Sequence, residues 1–107
     1  MFTIERWTMA EQLGYEPKTT FWEDFSIADR FGLDAVKDTY IRAFKEWKNN
    51  YVYLTELVMV LNHKIWRYYQ NNDELARLYN DLWVKASDYA LDNLTDAELD
   101  YYLEVTD

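Results

Sequence analysis

The chain has 107 residues, half of them apolar and 20 of them aromatic, with two Gly, one Pro, no Cys and a formal net charge of −9. One core suffices at this length, and large aromatic side chains can stabilise it without a disulfide or a structural metal. The missing cysteine excludes disulfides, thiolate nucleophiles and zinc-thiolate sites.

The N-terminus, Met1-Phe2-Thr3-Ile4-Glu5-Arg6-Trp7, lacks a basic region followed by an apolar stretch, and the longest aliphatic run is Leu57 to Leu61. Neither secretion nor a membrane span is expected, which points to the cytoplasm. Thr8 and Glu11 have the capping-box spacing, in which the hydroxyl accepts from a backbone N–H near the helix start and the acid reaches back. They predict a first helix that stops at Gly14, and Pro17 marks the loop after it. Thr20 with Glu23 predicts a second helix, stopped at Gly32.

From Leu33 the apolar positions become regular. Val36, Tyr40, Ala43 and Trp47 recur at helical spacing with Leu33 and Phe44 on the flank, while Asp38, Arg42 and Lys45 lie opposite. Asn49-Asn50 breaks this helix. The next segment carries Tyr51, Leu54, Leu57, Val58, Leu61, Ile65, Tyr68 and Tyr69 in one broad stripe. Val52, Tyr53, Met59, Val60 and Trp66 widen it, leaving a narrow polar sector of Glu56, His63, Arg67 and Gln70. Such a pattern belongs to a central, enclosed helix. Asn71-Asn72 breaks the chain again, and Leu75, Leu78, Tyr79, Leu82, Ala86, Tyr89 and Ala90 mark a one-sided helix from about Asp73 to Asn93. Thr95 with Glu98 starts a short last helix.

Short connections on both sides of the central helix call for antiparallel neighbours. The expected fold is all-α: one compact domain over 1–107, a bundle of about five or six helices. Residues 33–93 form an up-down-up three-helix core, 1–32 supply covering helices, and 95–107 close the chain.

No set of side chains has catalytic or metal-site spacing. His63 is the only histidine, and Glu56 lies at the wrong distance for the H-E-x-x-H or E-x-x-H patterns, so a surface histidine is expected. Ser26 and Ser87 lack a Gly-rich elbow, and two isolated glycines cannot cradle a phosphate. Glu23, Asp24, Asp73 and Glu74 open helices, where the macrodipole accounts for acids. Asp81, Asp88 and Asp92 fall together on the side opposite Leu78, Leu82 and Tyr89, and are expected to face water. A non-enzyme without cofactor is therefore expected, with a carboxylate-metal enzyme as the remote alternative.

Charge is unevenly spread. Residues 1–32 hold six acids and three bases, residues 33–70 four acids and six bases, and residues 71–107 ten acids and two bases. An acidic C-terminal third repels nucleic acid and anionic lipid, so the expected partner is a protein with a basic face. Asp88, Asp92, Asp96, Asp100 and Glu104 are each four apart, which on an unbroken helix makes a row of charges roughly 6 Å apart. Such a row imitates DNA phosphates, an alternative role as an inhibitor of DNA-binding or restriction proteins; the helix start at Thr95 argues against its continuity. Ile41, Val84 and Leu91 fall outside their helices' main stripes. Either the N-terminal helices, through Phe21, Trp22, Phe25 and Phe31, cover them, or they form a dimer or partner surface together with Asp81, Asp88, Asp92, Asp96 and Asp100.

The stretches Phe21-Trp22-Glu23-Asp24-Phe25-Ser26-Ile27-Ala28-Asp29-Arg30-Phe31-Gly32 and Tyr53-Leu54-Thr55-Glu56-Leu57-Val58-Met59-Val60-Leu61-Asn62, with the ending Val105-Thr106-Asp107, carry a resemblance. Here the chain resembles a family of small uncharacterised accessory proteins of conjugative transposons and related mobile elements of Gram-positive gut bacteria. The resemblance implies a bacterial cytoplasm and an accessory role in element maintenance or transfer; it implies no activity and no site residues.

Overall fold

The computed structural model describes residues 20–106, so the helix start at Thr8, the stop at Gly14 and the loop at Pro17 lie outside the described residues. The described elements are five helices: α1 (Thr20–Phe31), α2 (Leu33–Trp47), α3 (Tyr51–Tyr68), α4 (Asp73–Asn93) and α5 (Asp96–Thr106). Among these residues there is no strand, and no helix is long and apolar enough to cross a membrane. The protein is an all-α single domain, as its periodicity predicts.

The starts of α2 to α5 have local chemical causes. The second asparagine of each pair acts as an N-cap: Asn50 Oδ1 accepts from the amides of Val52 (3.1 Å) and Tyr53 (3.2 Å), and Asn72 Oδ1 from that of Leu75 (3.1 Å). These contacts satisfy amides that the first helical turn leaves without partners. At α5 the capping box closes in both directions, with Thr95 N donating to Glu98 Oε1 (3.0 Å) and Glu98 N to Thr95 Oγ1 (3.3 Å). Gly32 does two jobs. Its amide donates to Ala28 O and its carbonyl accepts from Val36 N, both at 3.2 Å, so one residue ends α1 and starts α2.

Ring contacts give the helix directions. Trp47 meets Tyr53 across the α2–α3 connection, with centroids 4.5 Å apart, and Tyr68 at the end of α3 stacks on Tyr79 near the start of α4 (6.2 Å). Phe44 in the second half of α2 packs edge-on against Tyr89 in the second half of α4 (5.0 Å). Helices α2, α3 and α4 therefore run antiparallel in succession, with α2 and α4 parallel. Helix α3 is enclosed nearly all round, since every residue from Val52 to Leu61 except Tyr53 is buried.

Two expectations need correction. Helix α1 belongs to the core rather than covering it, because Phe21 and Phe25 are fully buried and join the same cluster as Leu54, Leu57 and Tyr79. The polar sector of α3 is only partly solvated: Arg67 and Gln70 are exposed but Glu56 is buried, and so is Lys64, a residue outside that sector. Helix α5 adds Tyr102 and Val105 to the buried set.

Gly32 sits at φ 111° and ψ −172°, a region that side-chain-bearing residues avoid, while the space around its α-carbon is open. A substitution there meets backbone strain and no clash. Gly32→Ala is expected to lower stability by about 1–3 kcal/mol, measured by urea denaturation, with an unchanged helical circular-dichroism spectrum in the folded state.

Candidate functional site

The most concentrated polar chemistry in the fold is internal. Lys64 is wholly buried on α3, and its Nζ donates to Asp29 Oδ2 and to Ser26 Oγ, each at 2.9 Å. The indole of Trp22 lies over the same ammonium, 4.4 Å from Nζ to the ring centroid, a cation–π contact that strengthens as water is excluded. Asp29 in turn collects donors from two more helix positions: Tyr68 Oη reaches Oδ2 at 2.5 Å, and Tyr79 Oη donates to Oδ1. A single carboxylate thus ties α1 to α3 and α4.

Helical periodicity explains how these groups came inside. Asp29 stands four residues after Phe25 and eight after Phe21, on the buried stripe of α1, and Lys64 stands seven after Leu57 and four after Val60, on that of α3. Opposite charges on the apolar stripes of two helices are the signal that the sequence reading passed over. Pairing them answers the cost that either would incur alone.

Burial shapes the protonation of this cluster. It pushes the Lys64 ammonium below the ordinary lysine value, and the hydrogen bond and charge of Asp29 oppose that shift. Burial, reinforced by Asp29, pushes the Tyr79 and Tyr68 phenols up. Elsewhere burial raises Tyr40 to about 12, and burial with the charges of Tyr51, Glu56 and Glu104 raises Tyr101 to about 12. These phenols stay neutral donors at physiological pH. Because the donors of Lys64 and both oxygens of Asp29 are directed at one another and at neighbouring side chains, the cluster fastens helices together rather than presenting groups to a ligand.

The residues singled out from the sequence lie outside it. On α4, Val84 is 41% and Leu91 52% exposed, and Asp81, Asp88 and Asp92 are exposed on the same face at i, i+7 and i+11. Ile41, 59% exposed, sits on α2, whose ring contact with α4 runs through Phe44 and Tyr89 instead. Among the described residues the proposed cover does not form: Phe21 and Phe25 point into the core, while Trp22 shields Lys64 and meets His63 edge-on with centroids 6.4 Å apart. His63 is half-buried.

The acidic row is broken. Leu94 adopts an extended conformation (φ −75°, ψ 142°) and the capping box restarts the helix, so Asp88 and Asp92 end α4 while Asp96, Asp100 and Glu104 lie along α5, all exposed. Among the described residues, no group of three or more His, Cys, Asp or Glu is placed to hold a metal ion. No family model, curated protein or solved structure matches the chain.

Removing Lys64 leaves a buried carboxylate without its cation, so Lys64→Met is expected to cost about 3–5 kcal/mol. With Asp29→Asn added, the amide oxygen still accepts from a tyrosine and no lone charge remains. The double variant is expected to be less destabilised than the sum of the singles, read from a double-mutant cycle in urea. Alkaline pH gives a second check. A phenol raised in the folded state stabilises fully below its unfolded value near 10 and loses that contribution as pH rises toward the folded value of about 12. Lys64 acts with the opposite sign, since its lowered value favours the fold as the ammonium deprotonates. Stability should therefore fall between pH 10 and 12 through the tyrosines, and Tyr40→Phe should flatten the fall.

Proposed function

We propose that the protein acts without catalysis, as an acidic helical accessory protein that binds another protein through the outer face of α4. One observation carries this reading: Val84 and Leu91 remain exposed, one heptad apart, on a face shared with Asp81, Asp88 and Asp92. Exposed aliphatic groups set among carboxylates suit a partner whose apolar contacts are ringed by lysine and arginine, because burying the aliphatics supplies affinity while the charges select orientation. Arg77 and Lys85 are the bases on this face, and Arg77 pairs with Asp73 at 2.8 Å, so Asp81, Asp88 and Asp92 leave it net acidic and two copies facing each other here meet like charges. That favours a basic partner over a homodimer.

Asp96 and Asp100 extend the acidic surface onto α5. DNA mimicry is the weaker alternative, since the extended residue Leu94 divides the five acids between two helices. A carboxylate-metal enzyme ranks below both, because Asp81, Asp88 and Asp92 lie open to solvent. The setting that fits is a bacterial cytoplasm and an accessory role on a mobile element, which rests on the resemblance of the two stretches quoted above.

The test compares the wild type with a Val84→Asp/Leu91→Asp double variant. Light scattering of both should give a monomer mass. Affinity capture from a Gram-positive gut bacterium should recover a basic protein whose affinity for the double variant is at least tenfold weaker and falls with added salt. Recovery of the same proteins by both chains defeats the reading, and a wild-type dimer dissolved by the substitutions replaces it with self-association.

A further inference from the structure

Helices α1 and α2, joined at Gly32, border an open groove of about 490 Å³. Its α2 wall runs from Ala35 to Trp47, twelve helical steps or roughly 18 Å at the α-helical rise. Small residues at Ala28, Ala35 and Ala43 keep the floor low. Two large apolar side chains one turn apart, Ile27 (54% exposed) and Phe31 (78% exposed), line the α1 side without being covered. A trough of this length matches an amphipathic helix of about three turns, the helix-in-groove mode of recognition.

The charges along the groove specify the occupant. Among the described lining residues, Asp24, Asp38 and Glu46 stand against the single base Arg42. Among the described residues none of the three acids has an ion-pair partner, and Arg42 directs its Nε at the Asp38 carbonyl oxygen (3.4 Å). The chain's own first 19 residues carry Glu5, Glu11 and Glu16 against Arg6 and Lys18, and the whole chain carries −9, so neither that segment nor a second copy complements the acids.

We infer that the α1–α2 groove is a docking site for a basic amphipathic helix of a partner protein, whose apolar face covers Ile27 and Phe31 while its lysines or arginines meet Asp24, Asp38 and Glu46. This site is distinct from the α4 face and does not depend on it.

The probe is a labelled 14-residue synthetic helix with leucines at i, i+3, i+7 and i+10 flanked by lysines, paired with a counterpart in which every lysine is glutamate. Fluorescence anisotropy with the full chain should show the basic helix binding at least tenfold more tightly than the acidic one, with affinity falling as salt rises. Asp38→Lys/Glu46→Lys should reverse that order, Ile27→Asp should weaken the basic helix at least tenfold, and Val84→Asp/Leu91→Asp should leave its binding unchanged. Substituted positions in all these variants are exposed, and circular dichroism checks that each remains folded. Equal affinity for the two helices, no binding, or binding indifferent to the groove substitutions overturns the proposal. So does a chain that light scattering shows to be dimeric until Ile27→Asp is introduced. Loss of binding in the Val84→Asp/Leu91→Asp variant moves the site to the α4 face.

Discussion

The Asp29 carboxylate is the point on which the arrangement of helices turns. A charge taken out of water costs several kcal/mol unless its partners are well placed, and here one carboxylate receives an ammonium and two phenols from two other helices. Contacts among leucines and valines accept a helix shifted by a turn with modest loss. This cluster does not, because displacing α1 separates Asp29 from Lys64 and leaves both charges buried. Ser26 and Trp22, on the same helix, complete the surroundings of the ammonium, so α1 carries most of what makes Lys64 tolerable inside.

The position of α1 has consequences for the surface. With α1 held to α3 and α4, and α2 joined to it through the single residue Gly32, the placement of the two helices sets the groove that they border. Inside, the polar groups are directed at one another. Outside, aliphatic and aromatic side chains stand beside acids that have no ion-pair partner among the described residues, on the outer face of α4 and along the groove. A molecule built this way has its means of recognition in shape and charge, which is why the proposed role is binding.

Legibility in the sequence followed the range of the interaction. The caps at Asn50 and Asn72, the box at Thr95 and the turn at Gly32 involve groups within four residues of each other, and all were visible as helix boundaries. Exposure of Asp81, Asp88 and Asp92 was equally readable, being a matter of position around one helix. Glu56 was misjudged and Lys64 passed over for the opposite reason. Whether an ionisable residue beside an apolar stripe reaches water depends on what packs over it, and for Lys64 that is α1, more than thirty residues away in the chain.

Helical identity, helix ends and the acidic C-terminal third follow from the chain alone, because backbone hydrogen bonding, capping and net charge are settled among near neighbours or by composition. Packing between distant segments chose the rest. It buried α1 instead of laying it over the core, paired Asp29 with Lys64, left Val84, Leu91 and Ile41 bare, and opened the groove beside α2. Each of those outcomes depends on which helix lies against which, and no periodicity within a single helix encodes that choice.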